Sequence, residues 1–432
     1  MKNTAYCGFS KICITPKHKV HLAGYEHRIS EFDKICEDLF LRVLYIELNK
    51  KESDKKVIIT ADLIWWDNAL VTELKYLLNK KYNLRTENIF FSATHSHSTP
   101  QIAKGLSPLL GKIDDRYIEY LRVKIFRAIQ NAIDSKEKCY VKFSKTSCQL
   151  GINRRLKKDG QIKMAPNYDG VNDTTVKILE FFSSENDLLR GMLIHGICHA
   201  NVSAENSVSP DFPGIAVSLI EKHHKNKITA CYLQGFCGNI RPDFIDEDEF
   251  KQGVHDDALL YGKKLAESIC KNSKRKTVNF KFSTELGYEL RMRLPFKKLP
   301  TKKRLSELKK YQCTNRALKK WSSVLLKKKK YFKENIPNLL IHRLPICEEF
   351  ILVGVNAEVV IEYHFKLKKY FGEAVIPVGY CDGIVGYIPT AKQINEGGYE
   401  AWDAYKYFIL PFVFSEKIEE KFSSALKKLF YN

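Results

Sequence analysis

Through its first half the chain alternates short apolar runs with longer amphipathic stretches, and this pattern constrains its fold more than any other feature. A short apolar run bounded by turn residues suits a buried strand, whereas apolar positions three and four apart suit one face of a helix. Strands are expected over 43–48, 56–64, 88–93, 176–182, 191–198 and 230–233, with 176–182 and 191–198 paired. Between them, 67–82 spaces Leu70, Leu74, Leu77 and Leu78 helically, and 115–134 is a second amphipathic helix. A third helix, 213–224, has Pro213 at its start, where a missing N–H costs nothing. Alternation of this kind predicts an α/β fold of mixed β-sheets layered with helices. Further on, 349–355 reads as a strand, 357–371 as a helix, Gly397-Gly398 as a turn and 416–430 as a closing helix. No internal repeat or low-complexity linker divides the chain, so one large catalytic-type domain over 1–432 is expected.

Composition excludes some classes and raises others. At 432 residues, 44% hydrophobic and 12% aromatic, the chain has ample core material and is not disordered. Its net charge of +21 brings nucleic acid, anionic membrane and acidic substrates into question. The excess is local, however. Between Lys297 and Lys330 stand 14 Lys and Arg against the single acid Glu307. Leucines at helical separations and the absence of glycine make 299–332 one or two solvated basic helices. Its only aromatics are Tyr311, Trp321, Tyr331 and Phe332, too few to suggest a platform for stacking bases, so no nucleic-acid partner is expected. No apolar run approaches the roughly 18 residues of a transmembrane helix. The opening Met1–Pro16 has no apolar core of a signal peptide, and the 12 cysteines are scattered without a C-x-x-C pair. Reduced thiols in a cytoplasmic protein are therefore expected. Oligomeric state is left open.

Chemistry-bearing residues gather at the ends of the expected strands. Thr94-His95-Ser96-His97-Ser98 follows the strand 88–93, and in extended chain residues two apart point to one side. His95 and His97 can thus converge on a metal or a reacting group, or be two unrelated histidines of a polar turn. His195 and His199 close another apolar strand. Gly191, Gly196 and the bracketing Ile and Cys oppose a helical zinc motif, and no Glu follows His195 as that motif requires. His199 remains a candidate single ligand and His195 a packed core histidine. Leu233–Pro242 runs from a strand into glycines, which brings backbone amides close to whatever binds there. Glu358 is either a functional carboxylate or a helix N-terminal acid, and Tyr387 and Tyr399 are either site residues or half-buried surface aromatics. Phosphate-binding loops, dinucleotide fingerprints and a G-x-S-x-G elbow are absent.

Taken in order, these pieces resemble the neutral/alkaline (non-lysosomal) ceramidase family, over its catalytic domain. Gly8–Pro16 with Leu22-Ala23-Gly24-Tyr25 is similar to its opening signature. Thr94–Ser98 is similar to its Thr-His-Thr-His-Ser block, Asn153-Arg154 to its Asn-Arg pair, and His199 to its histidine after a strand. Ser209–Gly214 matches its Ser-x-Asp-x-Pro-Gly. Glu358 matches the acid of its Pro-Gly-Glu, with Asn356-Ala357 replacing Pro-Gly, and Gly386-Tyr387 with Gly398-Tyr399-Glu400 matches its closing tyrosine pair. The resemblance implies a zinc ion held by His95, His199, Glu358 and Tyr387. It implies His97 as the proton-handling neighbour, with Arg154 and Tyr399 on the substrate carbonyl and its oxyanion.

One departure is chemical. Where ceramidases carry Gly-Asp-Val-Ser-Pro-Asn, this chain has Gly238-Asn239-Ile240-Arg241-Pro242-Asp243. A guanidinium has no acceptor lone pair and cannot replace a hydroxyl. The family's carboxy-terminal domain is not represented either. The expectation is a zinc-dependent amidohydrolase acting on a soluble small-molecule N-acyl compound, such as an N-acylated sugar derivative, with Arg241 and Asn239 at the substrate and Arg241 favouring an anionic one. A ceramidase acting on N-acyl-sphingosine is the first alternative. The second is an inactive binding protein whose basic helices contact an anionic polymer.

Overall fold

The computed structural model describes residues 3–48, 55–271, 276–310, 315–327 and 338–431. Among them, a nine-stranded mixed sheet runs Thr229–Gln234, Leu189–Gly196, Thr175–Ser183, Glu137–Ser147, Ala5–Cys13, Phe40–Glu47, Lys55–Ala61, Ile89–Ala93, with Val278–Phe280 also paired to Glu137–Ser147. Its neighbours are antiparallel except at the two ends, where Lys55–Ala61 pairs with Ile89–Ala93, and Leu189–Gly196 with Thr229–Gln234, in parallel.

Both faces of this sheet are buried, which is why its strands read as continuous apolar runs. Along Phe40–Glu47, Leu41, Val43 and Tyr45 join a core with the helices Asn68–Tyr82 and Asp115–Asp134, while Leu44 and Ile46 turn to the other side. There they meet Leu344, Ile346, Phe350, Leu352 and Val378 from a second, four-stranded sheet of Tyr288–Arg293, Asn338–Cys347, Phe350–Val355 and Val375–Val378. At the far edge the helices Asp211–His223 and His255–Cys270 pack on Ile178, Ile194 and Tyr232. Glu362–Phe371 and Lys417–Tyr431 accompany the second sheet, so helices flank two stacked sheets. The mixed α/β layering expected from the sequence is the fold observed.

Most expected elements appear with ends moved by a few residues. The expected pair 176–182 and 191–198 is the antiparallel pair Thr175–Ser183 and Leu189–Gly196. The helix expected over 357–371 begins only at Glu362, because Glu358-Val359 first pairs in parallel with Tyr387-Ile388. Glu358 is therefore a strand residue and not a helix N-terminal acid. The basic segment forms two helices, Lys302–Lys310 and Arg316–Lys327, with 311–314 and 328–332 outside the described residues. These helices are not solvated all round: Leu305, Trp321 and Leu325 are buried against Ile409, and Trp321 Nε1 donates to Leu410 O at 2.7 Å. Cys7, Cys139, Cys231, Cys347 and Cys381 are free and buried in the core. Among the described residues no helix is long and apolar enough to cross a membrane.

Candidate metal centre

The carboxyl ends of strands from both sheets meet at one end of the molecule. Beyond Ile89–Ala93 the chain turns sharply: Thr94 N donates to Ala61 O at 3.0 Å and His95 N to Leu63 O at 2.9 Å. His95 takes a left-handed backbone with φ 67°, a conformation that costs a non-glycine residue on the order of 1 kcal/mol and persists where surroundings enforce it. His97 N donates to Ala200 O, which ties this turn to the loop carrying His199. Glu358 comes just after the strand Phe350–Val355 of the second sheet and pairs directly with Tyr387 across a separate two-stranded parallel sheet, Glu358–Val359 with Tyr387–Ile388.

One ring nitrogen each of His95, His97 and His199 lies within 4.8 Å of the others. His95 Nε2 is 3.4 Å and His199 Nε2 3.2 Å from Glu358 Oε2, and Tyr387 Oη is 3.4 Å from His199 Nε2. Backbone carbonyls orient two of the rings. His95 Nδ1 donates to Ile64 O at 2.9 Å, and His199 Nδ1 to Cys237 O at 2.7 Å and Ile240 O at 3.1 Å. That leaves both Nε2 lone pairs facing Glu358, as in metal-ligating histidines whose other ring N–H is held by a carbonyl. His97 differs: its Nε2 is 3.3 Å from His95 Nε2, but its buried Nδ1 has no hydrogen-bond partner among the described residues.

Burial dominates the electrostatics. It opposes charge on Glu358, yet the imidazoles of His95 and His199 outweigh it and hold the carboxyl well below its ordinary range. Burial, then the Arg154 charge, pushes His199 down to about 4. Burial, with His95 and His199 as neighbours, puts His97 well below an ordinary histidine.

Arg154 stands behind Tyr387. Its Nε donates to Glu400 Oε1 at 2.8 Å and its Nη2 to Tyr387 Oη at 3.2 Å, and its guanidinium lies 5.5 Å from the Tyr399 ring. Arg241 shares the sheet face of Arg154, since it pairs with Ile152 two residues earlier on the same strand. Its guanidinium rests 4.9 Å from the Phe250 ring and donates to Lys251 O, and no carboxylate among the described residues pairs with it. Asn239 is turned away from this group. Its Nδ2 donates to both oxygens of Glu362 and its Oδ1 accepts from Ile361 N, while its carbonyl accepts from Arg154 N. His195 lies apart, donating Nε2 to Pro377 O at 2.8 Å in the core.

The glycine-rich turn works differently from the expectation. Gly235 N and Gly238 N are committed to Gly196 O and Val359 O, so carbonyls rather than amides serve the site, through His199. A Cβ on Gly238 would stand 2.9 Å from Val359 O and 3.0 Å from Glu358 O, so only glycine allows the close approach that aligns Glu358.

Two participants carry no motif. Tyr380 stacks on His95 with ring centroids 3.7 Å apart, and its hydroxyl donates to Glu358 Oε2 at 3.4 Å. The buried Arg28 donates to the carbonyls of Ala23, His97 and Glu205, clamping the His97 turn from outside. Tyr380 could have been noticed where a strand leaves into Gly379-Tyr380-Cys381-Asp382-Gly383; Arg28 has no sequence signal. A second acidic group, Glu289, His342 and Asp382, is a different matter. Lys75 Nζ sits 2.6 Å from Glu289 and 3.0 Å from Asp382, so a lysine ammonium already neutralises it.

Residues 6–257 match the model of the family described as neutral/alkaline non-lysosomal ceramidase, N-terminal. In three dimensions the chain is similar to the crystal structure of the neutral ceramidase from Pseudomonas aeruginosa, with TM-score 0.75, 16% identity, and 99% of this chain and 74% of that one covered. A structure of a ceramidase complexed with C2 gives TM-score 0.74 at the same identity and coverage. At 16% identity these likenesses are ones of fold. No curated protein sequence matches the chain.

Proposed function

The chain belongs to the neutral/alkaline non-lysosomal ceramidase family, and from that premise we propose that it is a zinc-dependent hydrolase cleaving the amide bond of an N-acyl compound. The observation that carries this is the convergence of His95, His199 and Glu358, with Tyr387 beside them. Two imidazoles, a carboxylate and a phenol are a donor set suited to zinc, and the carbonyl-held Nδ1 atoms fit it. When bound, zinc supplies a Lewis acid that polarises a carbonyl and acidifies water.

The remaining work falls to the chain's own groups. His97 has no carbonyl behind Nδ1, which suits an acid–base group rather than a ligand. Resting neutral, its Nε2 accepts the proton of the attacking water and returns it to the leaving amine as the C–N bond breaks. Arg154, held by Glu400, and Tyr399 offer donors to the developing oxyanion. Arg241 is half-buried and without a carboxylate, so its charge favours an anionic substrate, such as an N-acylated sugar derivative carrying carboxylate or phosphate.

The experiment measures zinc in purified protein and acyl release from anionic N-acyl compounds and a short-chain fluorescent ceramide, with and without chelator. Stoichiometric zinc and chelator-sensitive release from the anionic compounds are expected. Zinc-free protein with full turnover, or Glu358→Ala behaving as wild type, overturns the metal centre. Preference for ceramide overturns the substrate class alone.

A further inference from the structure

Behind the metal centre, on the opposite face of the small sheet of Gly151–Lys158, Gln161–Asn167 and Ile240–Pro242, lies a cavity of about 410 Å³. Strand alternation separates the two: Arg154 faces the metal centre, while Asn153, Arg155 and Lys157 line the cavity. Its other wall includes Glu362 and Gln393.

Glu362 is the unusual group there. Its carboxylate accepts only from neutral amides, Asn239 Nδ2 at 3.2 and 3.1 Å and Gln393 Nε2 at 2.9 Å. No Lys or Arg among the described residues forms an ion pair with it. Arg155 is taken by Glu400 at 2.6 Å, by Glu396 at 3.6 Å and by Gly397 O at 2.9 Å. Burial raises the Glu362 carboxyl above its ordinary range, outweighing the two amides and the nearby Arg155 charge, which is itself held by Glu400. The cavity adds two more carboxylates, the exposed Asp169 and also Glu396, which lies 3.6 Å from Arg155 and 3.7 Å from Lys392. Lys157 and Lys392 are exposed at its rim, so the cations that line it are committed to Glu396 and Glu400 or turned to water. A ligand filling this space therefore gains most from an ammonium set against Glu362, with hydroxyls for the surrounding amides.

We infer that this cavity is a second binding site, for a small hydroxylated primary amine whose ammonium pairs with Glu362. Binding does not require the hydrolase chemistry, so the test stands apart from it.

The test titrates the full chain with D-glucosamine and, as its neutral counterpart, D-glucose, by calorimetry and thermal shift at neutral pH. Glucosamine is expected to bind and to raise the melting temperature, with glucose at least about tenfold weaker. Glu362→Gln should weaken glucosamine by about tenfold or more and Asp169→Asn by about threefold, since Asp169 is exposed. Glu358→Gln, in the metal centre, should leave binding unchanged. Equal binding of glucose, wild-type affinity in Glu362→Gln, loss of binding in Glu358→Gln, or no binding at millimolar ligand overturns the assignment. If Glu362→Gln does not fold, wild-type affinity in Asp169→Asn overturns it and the expected weakening supports it.

Discussion

Tyr380 and His95 lie ring on ring, with centroids 3.7 Å apart and planes 19° from parallel, and the same tyrosine donates to Glu358 Oε2. One aromatic thus packs on the face of one proposed ligand and hydrogen-bonds the carboxylate of another. Tyr380→Phe keeps the stack and loses hydrogen bonds, so denaturant titration should show a loss of about 1 kcal/mol with zinc retained. Tyr380→Ala opens a cavity, and should cost about 3–5 kcal/mol and weaken zinc by about tenfold in chelator competition. Unchanged zinc affinity in Tyr380→Ala would show that the stack positions nothing.

Arg28 grips the His97 turn through three carbonyls and the Ser98 hydroxyl. A lysine cannot reproduce that fork. Arg28→Lys should lower kcat by about tenfold with KM little changed and zinc content intact, because His95 and His199 are held by other carbonyls. If zinc leaves together with activity, His97 is a ligand and not the acid–base group.

Arg241 has no carboxylate partner among the described residues and shares a sheet face with Arg154. Arg241→Ala should lower kcat/KM by about tenfold or more for an anionic N-acyl substrate and by less than about twofold for a neutral one. Equal losses on both substrates would make Arg241 structural.

His195 provides a pH dependence away from the candidate metal centre. Burial, with His364 and Lys177 adding like charge, pushes it down to about 3 from an ordinary 6.5. The unfolded chain binds a proton there that the folded chain does not, so stability is full above pH 6.5 and falls on acidification by about 1.4 kcal/mol per pH unit toward pH 3. His195→Gln can still donate to Pro377 O but cannot titrate. Between about pH 6.5 and about pH 5 the wild type should lose about 2 kcal/mol more than the variant in guanidinium titrations. Parallel curves would remove His195 from the acid limb.

Much of the central sheet was legible because each strand reports its own burial. Leu41, Val43 and Tyr45 against Leu44 and Ile46 is a local pattern, and it marks a strand covered on both faces before any partner is known. The start of the helix after Glu358 was not legible. Ala357 to Phe371 has helical periodicity, but pairing of Glu358 with Tyr387, 29 residues away in the chain, holds the first residues extended. Arg28 was invisible for the same reason: its partners Ala23, His97 and Glu205 come together only through tertiary contact.

By itself the sequence determined which residue types stand at the ends of buried strands: His95 and His97 after one, His199 after another, Glu358 after a third. Periodicity and turn chemistry are properties of a few neighbouring residues, and that is all such an inference needs. Only the tertiary structure decided that these ends meet, that Asn239 turns to Glu362 while Arg241 stays on the face of Arg154, and that carbonyls of the glycine turn aim His199. His95 and His199 follow strands of the nine-stranded sheet, whereas Glu358 follows Phe350–Val355 of the second sheet and pairs with Tyr387 in a two-stranded sheet of their own. Their convergence depends on how two sheets stack, and stacking is set by packing between residues hundreds of positions apart.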